Sequence, residues 1–168
     1  MYFELGRPEP PRRRTGVAGF FARRIGDELN VLLMPAPAGE SWQLPGGDAQ
    51  TDEFMHEAYV REIAEKTGLS PTPPEEILVV DHVPRGVTEA EGLDVVFKGA
   101  GLVPYSTDPV TTAYRWATLK ETDALCLGPE RDRIHSAHEA WLTGRTAYLI
   151  WGERVRHLPA CDSSDGVN

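Results

Sequence analysis

Cysteine is scarce in this chain, where only Cys126 and Cys161 occur among 168 residues. Their spacing matches no metal-binding motif, and Cys161 lies near the C-terminus, so a disulfide framework is not expected. The five histidines also show no ligand spacing, and we interpret them as ordinary surface or helix residues. The scarcity of cysteine favours a reducing compartment, and we predict a cytoplasmic protein.

Long apolar runs and an excess of positive charge are missing as well. No run approaches the roughly 20 apolar residues that cross a bilayer, and the N-terminus lacks the apolar core of a signal peptide. Lys and Arg number 17 against 26 Asp and Glu, which gives a net charge of −9. We therefore expect neither a membrane nor a nucleic acid polymer as partner. A nucleotide ligand is still compatible with this charge, because a bound metal ion can supply local positive charge.

The length and composition indicate one globular domain. A chain of 168 residues with 40% hydrophobic residues is long enough for one core and short for two. Residues 1–15 are rich in proline and arginine and are predicted to form a flexible arm, either solvated or touching an anionic partner. Residues 16–158 are predicted to form the domain, and residues 159–168 a disordered tail.

Apolar periodicity predicts strands and helices that alternate irregularly, without an internal repeat. A helix is predicted over residues 130–142, ended by Gly144, and a hairpin near Gly26-Asp27. This order predicts an α/β fold with a mixed sheet between helices. The predicted strands cover residues 17–21, 29–34, 77–83, 93–97, 114–119 and 148–151.

The stretch 47–69, GDAQTDEFMHEAYVREIAEKTGL, is the most informative part of the chain. It predicts a tight glycine turn and one helix, capped by Thr51 or Asp52 and ended by Gly68. Glu62 and Glu65 lie three residues apart, close enough for both carboxylates to reach one cation. A solvent-facing helix laced with salt bridges is the alternative interpretation. The predicted charged half of the helix carries Glu53, Glu57, Arg61, Glu62 and Glu65, and the apolar half carries Met55, Tyr59 and Ile63.

The same stretch, with its lead-in WQLPGG at residues 42–47, resembles the Nudix box. The closing run 131–149 resembles the tail of actinobacterial-type Nudix proteins, so the resemblance covers most of residues 16–156. It implies the Nudix fold, an α/β/α sandwich in which helices enclose a mixed β-sheet. The positions in register with the box are Gly47, Glu53, Arg61, Glu62, Ile63, Glu65, Gly68 and Leu69.

The resemblance implies a hydrolase that cleaves a phosphoanhydride bond with Mg²⁺ or Mn²⁺. The substrate would be a nucleoside diphosphate linked to another moiety, or a related phosphorylated small molecule. Such chemistry needs an activated water and neutralised phosphate oxygens, which carboxylate-held metals supply. The resemblance also allows a homodimer. It assigns metal binding and catalysis to Glu62 and Glu65, a further metal contact to Gly47, and support of the site to Glu53, Arg61 and Gly46.

Lys66 departs from the box, because the family pattern has a second adjacent glutamate there. Residues 110–113 also lack the acidic residue that several relatives carry in this loop. Three interpretations follow: fewer metals with the Lys66 ammonium on a substrate phosphate, a specialised hydrolysis with a relaxed metal requirement, or a non-catalytic domain that binds a nucleotide or metabolite.

Other tryptophans and aspartates are expected to have structural roles, and three loops are expected to select the substrate. We expect Trp42, Trp116 and Trp141 to pack in or near the core. Asp81 and Asp94 are expected at turns and sheet edges, with a place in the cleft as the alternative. The substrate is not named by any motif, and its selection is expected from the loops 35–41, 84–92 and 103–113.

Overall fold

The computed structural model describes residues 12–87, 90–105 and 113–155. Most of the predicted N-terminal arm, the whole predicted tail and most of the loop 110–113 lie outside these residues. The domain boundaries at 16 and 158 therefore stay a prediction.

The described residues form strands and three helices in a mixed order. The elements are β1 (Arg14–Phe20), β2 (Ala22–Ile25), β3 (Glu28–Pro35), β4 (Trp42–Gln43), β5 (Gly46–Asp48), α1 (Met55–Thr67), β6 (Leu69–Ser70), β7 (Ile77–Val83), β8 (Gly92–Lys98), β9 (Val103–Pro104), β10 (Arg115–Thr118), α2 (Leu119–Leu125), α3 (Gly128–Thr143), β11 (Ala147–Ile150) and β12 (Glu153–Arg154).

A six-stranded mixed sheet forms the centre of the fold, in the order β12-β11-β7-β8-β1-β5. Strand β1 runs parallel to β8, and β11 runs parallel to β7, whereas the other neighbours are antiparallel. A second sheet has the order β10-β3-β2 with β4 beside β3, and β6 pairs with β9. The predicted α/β fold with a mixed sheet between helices is thus confirmed.

The core divides into two clusters because side chains alternate across the sheet. On β8, Val95 and Phe97 pack in the cluster that includes Tyr59 and Ile63 of α1. Val96 points the other way, into the cluster formed with α3. All five side chains are at most 6% exposed, and each buried apolar side chain stabilises the fold by roughly 1.5–3 kcal/mol.

Helix α1 begins later than the sequence pattern predicted. Its N-cap is Phe54, so Thr51 and Asp52 do not cap it and Glu53 lies before the helix. The carboxylate of Glu57 accepts the backbone N–H of Phe54 at 3.1 Å, which satisfies a donor at this helix end. The prediction of Thr51 or Asp52 as the cap was wrong, because the carboxylate that accepts the N-cap N–H belongs to Glu57 inside the helix and not to a residue before it.

The end of α1 and its apolar face follow the prediction more closely. Gly68 adopts φ 70° and donates its N–H to the Ala64 carbonyl, so it ends the helix as predicted. Of the apolar half, Tyr59 and Ile63 are fully buried, whereas Met55 at the first turn is 39% exposed.

Two further elements differ from the pattern. Helix α2 was not predicted; it is seven residues long and begins with a capping box between Thr118 and Glu121. The turn at Gly26, φ 61°, joins β2 to β3, so the predicted hairpin exists with a different first strand. Strand β1 pairs instead with β8 and β5.

Within the described ranges, no helix combines the length and apolar character needed to span a membrane. The cytoplasmic location stays a prediction.

Candidate active site

The predicted tight glycine turn is strand β5 (Gly46–Asp48) in the structure, and this segment, called the glycine turn below, approaches β1 at Gly46 and α1 at Gly47. Gly46 in β5 stands opposite Ala18 of β1, and a Cβ on Gly46 would overlap the Val17 carbonyl oxygen. A Cβ on Gly47 would overlap the Glu62 carboxylate and lie 2.6 Å from Lys66 Nζ. The backbone therefore approaches the helix at a distance that only glycine permits.

Arg61 holds this turn against the helix. Its Nε lies 2.6 Å from Glu53 Oε1 and its Nη2 lies 2.8 Å from Glu53 Oε2, which makes a bidentate pair. Nη2 also donates to the Asp48 carbonyl at 3.1 Å. Hydrogen bonds from Arg61 and from the Gln50 N–H lower the pKa of Glu53 to about 2. The pair joins the segment before the helix to its second turn, which is the brace that the resemblance implied.

Glu62 lies under the glycine turn between two cations. It is 9% exposed. Its Oε1 lies 2.7 Å from Arg61 Nη1, and its Oε2 lies 2.7 Å from Lys66 Nζ. Lys66 also donates to the Gly46 carbonyl at 2.9 Å. The ammonium of Lys66 thus bridges a carboxylate and a backbone carbonyl beside Gly47.

Glu65 meets the same Arg61 nitrogen as Glu62 but is much more exposed. Its side chain is 57% exposed, and its carboxylate stands 3.4 Å from Arg61 Nη1. It borders a different cavity, which includes His56, Val60 and Tyr105. The described structure therefore does not show Glu62 and Glu65 as a free pair of carboxylates around one position.

A cleft of about 450 Å³ opens over the glycine turn. Lys66 and Arg14 lie at its charged part, beside Gly46 and Gly47. Its apolar part is lined by Pro37, Val83, Leu127, Pro129 and Trp151. Charge and apolar surface share one cavity, which suits a ligand with an anionic portion and a flat or apolar portion.

Trp151 is held in the cleft by an unusual backbone. It is 39% exposed and has φ 51°, in the left-handed region that a bulky residue rarely adopts. Its N–H donates to the His82 carbonyl at 3.0 Å. The next residue, Gly152, donates to the buried Asp81 carboxylate at 3.1 Å, and a Cβ there would lie 2.9 Å from Pro129 Cα. These contacts fix the turn that presents the indole.

A largely buried ion-pair network was missed by sequence reasoning, and its Arg133, Asp94 and Glu130 also line the cleft. Arg133 of α3 contacts Asp81 Oδ2 at 2.8 Å, Asp94 Oδ2 at 3.1 Å and Glu130 Oε2 at 2.5 Å. Burial lowers the pKa of Arg133, but these carboxylates outweigh it and raise that pKa above its usual value. Asp81 and Asp94 stand within β7 and β8, so their predicted place at turns and edges was wrong.

The network reaches the glycine turn from two sides. Glu130 Oε1 accepts the backbone N–H of Leu44 at 2.8 Å, two residues before Gly46. Arg14 lies 2.6 Å from Asp94 and pairs with Asp48 on the opposite side of the turn. No local pattern links these residues, because Leu44 and Glu130 stand 86 positions apart in the chain.

The tryptophans expected to pack do so. Trp42 and Trp141 pack against the cluster beside α3, and Trp116 against the cluster beside α1. Arg23 stacks over Trp116 with its guanidinium carbon 3.9 Å from the ring centre.

The donors present do not fit a divalent ion between Gly46 and Glu62. The Lys66 ammonium already lies within 3 Å of both oxygens, although its contact with Glu62 Oε2 is an ion pair without hydrogen-bond geometry. The Glu65 carboxylate is engaged by Arg61. The parts of the chain described here hold no cluster of three or more His, Cys, Asp and Glu side chains suited to a metal. The predicted metal roles of Glu62, Glu65 and Gly47 therefore stay predictions.

Comparison with protein families identifies the class. The NUDIX domain model matches residues 12–142, which include the glycine turn, α1 and α3 up to its penultimate residue. The chain therefore belongs to the NUDIX family. Hydrolases of this family act on pyrophosphate bonds and generally use divalent metal ions. The comparisons do not distinguish an actinobacterial type, which stays a prediction, and no curated protein matches the chain.

Solved structures share the fold at low identity. A UDP-X diphosphatase matches with TM-score 0.65 and 20% identity over 84% of this chain and 69% of that one. The NUDIX domain of Shewanella oneidensis NrtR, complexed with ADP ribose, matches with TM-score 0.61 and 20% identity over 77% of this chain and 89% of that one. The Bacillus halodurans MutT protein matches with TM-score 0.59 and 19% identity over 80% of this chain and 86% of that one. Identities this low carry the fold alone.

Proposed function

We propose that the chain is a pyrophosphohydrolase that cleaves a phosphoanhydride bond in a nucleoside diphosphate linked to another moiety, or in a related phosphorylated small molecule. The observation that supports this most is the buried Glu62 carboxylate, held by Arg61 under Gly47 and in contact with Lys66, two residues that line an open cleft. A fixed carboxylate at a cleft can orient and deprotonate a water. We assign that role to Glu62.

The two parts of the cleft support a nucleotide-like ligand. Lys66 offers positive charge to a diphosphate as a point charge, whereas Arg14 in the same cleft is already paired with Asp94 and Asp48. Trp151 offers an exposed ring to a base, against which stacking contributes roughly 1–3 kcal/mol. Strained backbone at a ligand site suggests function when the surroundings hold it in place.

In the proposed reaction, Mg²⁺ or Mn²⁺ is the ion bound to the phosphates of the substrate. Such ions keep several waters and bind through substrate phosphates with only one or two carboxylates. Glu65, exposed on α1, is the carboxylate we assign to such an ion if it reaches the protein. A divalent ion supplies charge neutralisation for phosphate oxygens when bound.

The test is phosphate release from a panel of nucleoside diphosphate derivatives and nucleoside triphosphates, run with Mg²⁺, with Mn²⁺ and with chelator. Glu62→Gln should abolish turnover while keeping the fold. Glu139→Gln serves as the matched control, because Glu139 pairs with Arg154 on the surface of α3. Unchanged turnover in Glu62→Gln would refute the role of Glu62.

Binding without hydrolysis is the second candidate function. It is favoured by one observation, the engagement of both Glu62 carboxylate oxygens by Arg61 and Lys66. A binding domain should show a higher melting temperature with ADP ribose, and no product over the same interval. Metal-dependent product formation that disappears in Glu62→Gln would exclude this candidate.

A further inference from the structure

Lys66 lies where a cation would be expected from the surrounding oxygens. Its Nζ stands 2.7 Å from a Glu62 carboxylate oxygen and 2.9 Å from the Gly46 carbonyl. A carboxylate and a backbone carbonyl that converge beside a cleft are oxygen donors of the kind that hard cations bind. In this chain the cation at that point is covalently part of the helix.

The surroundings fix the ammonium in this place. The stem of Lys66 rises from the same face of α1 as Glu62, one turn later, and Gly47 leaves no side chain between them. The Lys66 side chain is 42% exposed and lines the cleft, so its ammonium also faces the space available to a ligand. The geometry therefore gives Lys66 two neighbours in the protein and one open side.

We propose that the Lys66 ammonium is a built-in cation that excludes a divalent ion from the position between the Gly46 carbonyl and the Glu62 carboxylate. A 2+ ion placed there would be repelled by the ammonium and would share the same oxygens. The open side of Lys66 then neutralises a phosphate of the ligand, a use that rests on the proposed function. The exclusion of the metal does not depend on catalysis.

The experiment is a calorimetric titration of Mn²⁺ into the full chain without substrate. Lys66→Glu replaces the ammonium with a carboxylate, and Lys66→Gln removes the charge without adding a ligand charge. Lys120→Glu is the matched control, because it makes the same charge change at an exposed residue of α2. Circular dichroism of each variant verifies that the fold is kept.

We expect Lys66→Glu to bind Mn²⁺ at least about tenfold more tightly than the parent chain, as changes around a metal site often do. Lys66→Gln should fall between the two, and Lys120→Glu should match the parent. Equal affinity in the parent, Lys66→Gln and Lys66→Glu would overturn the proposal. So would a gain in Lys66→Glu with none in Lys66→Gln, because the ammonium would then not be competing with the metal.

Hydrolysis of the nucleotide panel is measured separately on the same proteins. Altered Mn²⁺ affinities without any turnover in the parent would reject the proposed hydrolase and keep the built-in cation. Turnover that depends on Glu62, with Mn²⁺ affinities that do not respond to Lys66, would reject the built-in cation and keep the hydrolase.

Discussion

Replacement of Arg133 by methionine tests the largely buried ion-pair network. Methionine keeps much of the length of the side chain and removes the guanidinium. The Asp81 carboxylate, 0% exposed, would then keep only the N–H of Gly152 as a partner. Breaking a buried ion pair by removing one partner costs roughly 3–5 kcal/mol, because the remaining charge is buried without compensation.

The expected loss is large enough to measure by urea unfolding and by thermal melting. For a chain of this size, each kcal/mol shifts the midpoint by roughly 2–4 °C, so the variant should melt roughly 6–20 °C lower. Arg154→Met is the matched control, because Arg154 pairs with Glu139 on the surface at 44% exposure. That exposed pair should contribute less than about 1 kcal/mol.

A double variant isolates the interaction itself. Adding Asp81→Asn to Arg133→Met removes the buried charge that the single change leaves behind, so the double variant should be more stable than Arg133→Met alone. A cost below about 1 kcal/mol for Arg133→Met, or strictly additive losses in the double variant, would refute the view that this buried pair governs the local stability.

Four further predictions concern the two glycines of the glycine turn, the Glu53–Arg61 brace and the thiol of Cys126. Gly46→Ala should cost roughly 1–3 kcal/mol in urea unfolding, because its Cβ meets backbone. Gly47→Ala should lower turnover, because its Cβ meets the Glu62 carboxylate, and the loss expressed as an activation free energy should exceed the loss in free energy of unfolding. Equal losses in these two free energies would contradict this. Since the pKa of Glu53 is about 2 in the folded chain against an ordinary 4.5, its ionised form stabilises the fold above pH 4.5, and the stability gap between the parent and Glu53→Gln should shrink as pH falls towards 2. A stability difference between the parent and Glu53→Gln that does not change with pH would argue against a stabilising ion pair between Glu53 and Arg61. Burial, with Glu130 and Asp123 nearby, raises the pKa of Cys126 to about 12, so mass spectrometry should find this thiol unalkylated by iodoacetamide at pH 8 until the chain is unfolded.

The sequence predicted the elements that depend on local periodicity. Strand β7 coincides with the predicted 77–83, and the helices α1 and α3 end at Gly68 and Gly144, where a left-handed residue is needed. Short elements such as α2 were missed, because seven residues with one capping box give too little periodic signal.

The site was predictable where spacing along one helix fixes geometry. The i,i+4 spacing of Glu62 and Lys66 puts their side chains within reach of an ion pair, which the structure shows at 2.7 Å. Contacts between distant segments were beyond local patterns. The bond from Leu44 to Glu130 and the pairing of Arg133 with Asp81 depend on the order of strands in the sheet.

The charge of Glu62 beside Gly47 is compensated by Arg61 and Lys66 in the chain without a ligand. Arg61 and Lys66 each neutralise one oxygen of Glu62, which allows a carboxylate to be buried at 9% exposure without a metal. The buried charge therefore has its compensation before any ligand arrives, and a ligand phosphate meets Lys66 in the cleft as an already placed cation. Such preorganisation lowers the cost of ordering the site on binding. Under the proposed function, the contact between Lys66 and Glu62 is the interaction whose change on ligand binding would separate a hydrolase, with Glu62 acting on water, from a binding domain.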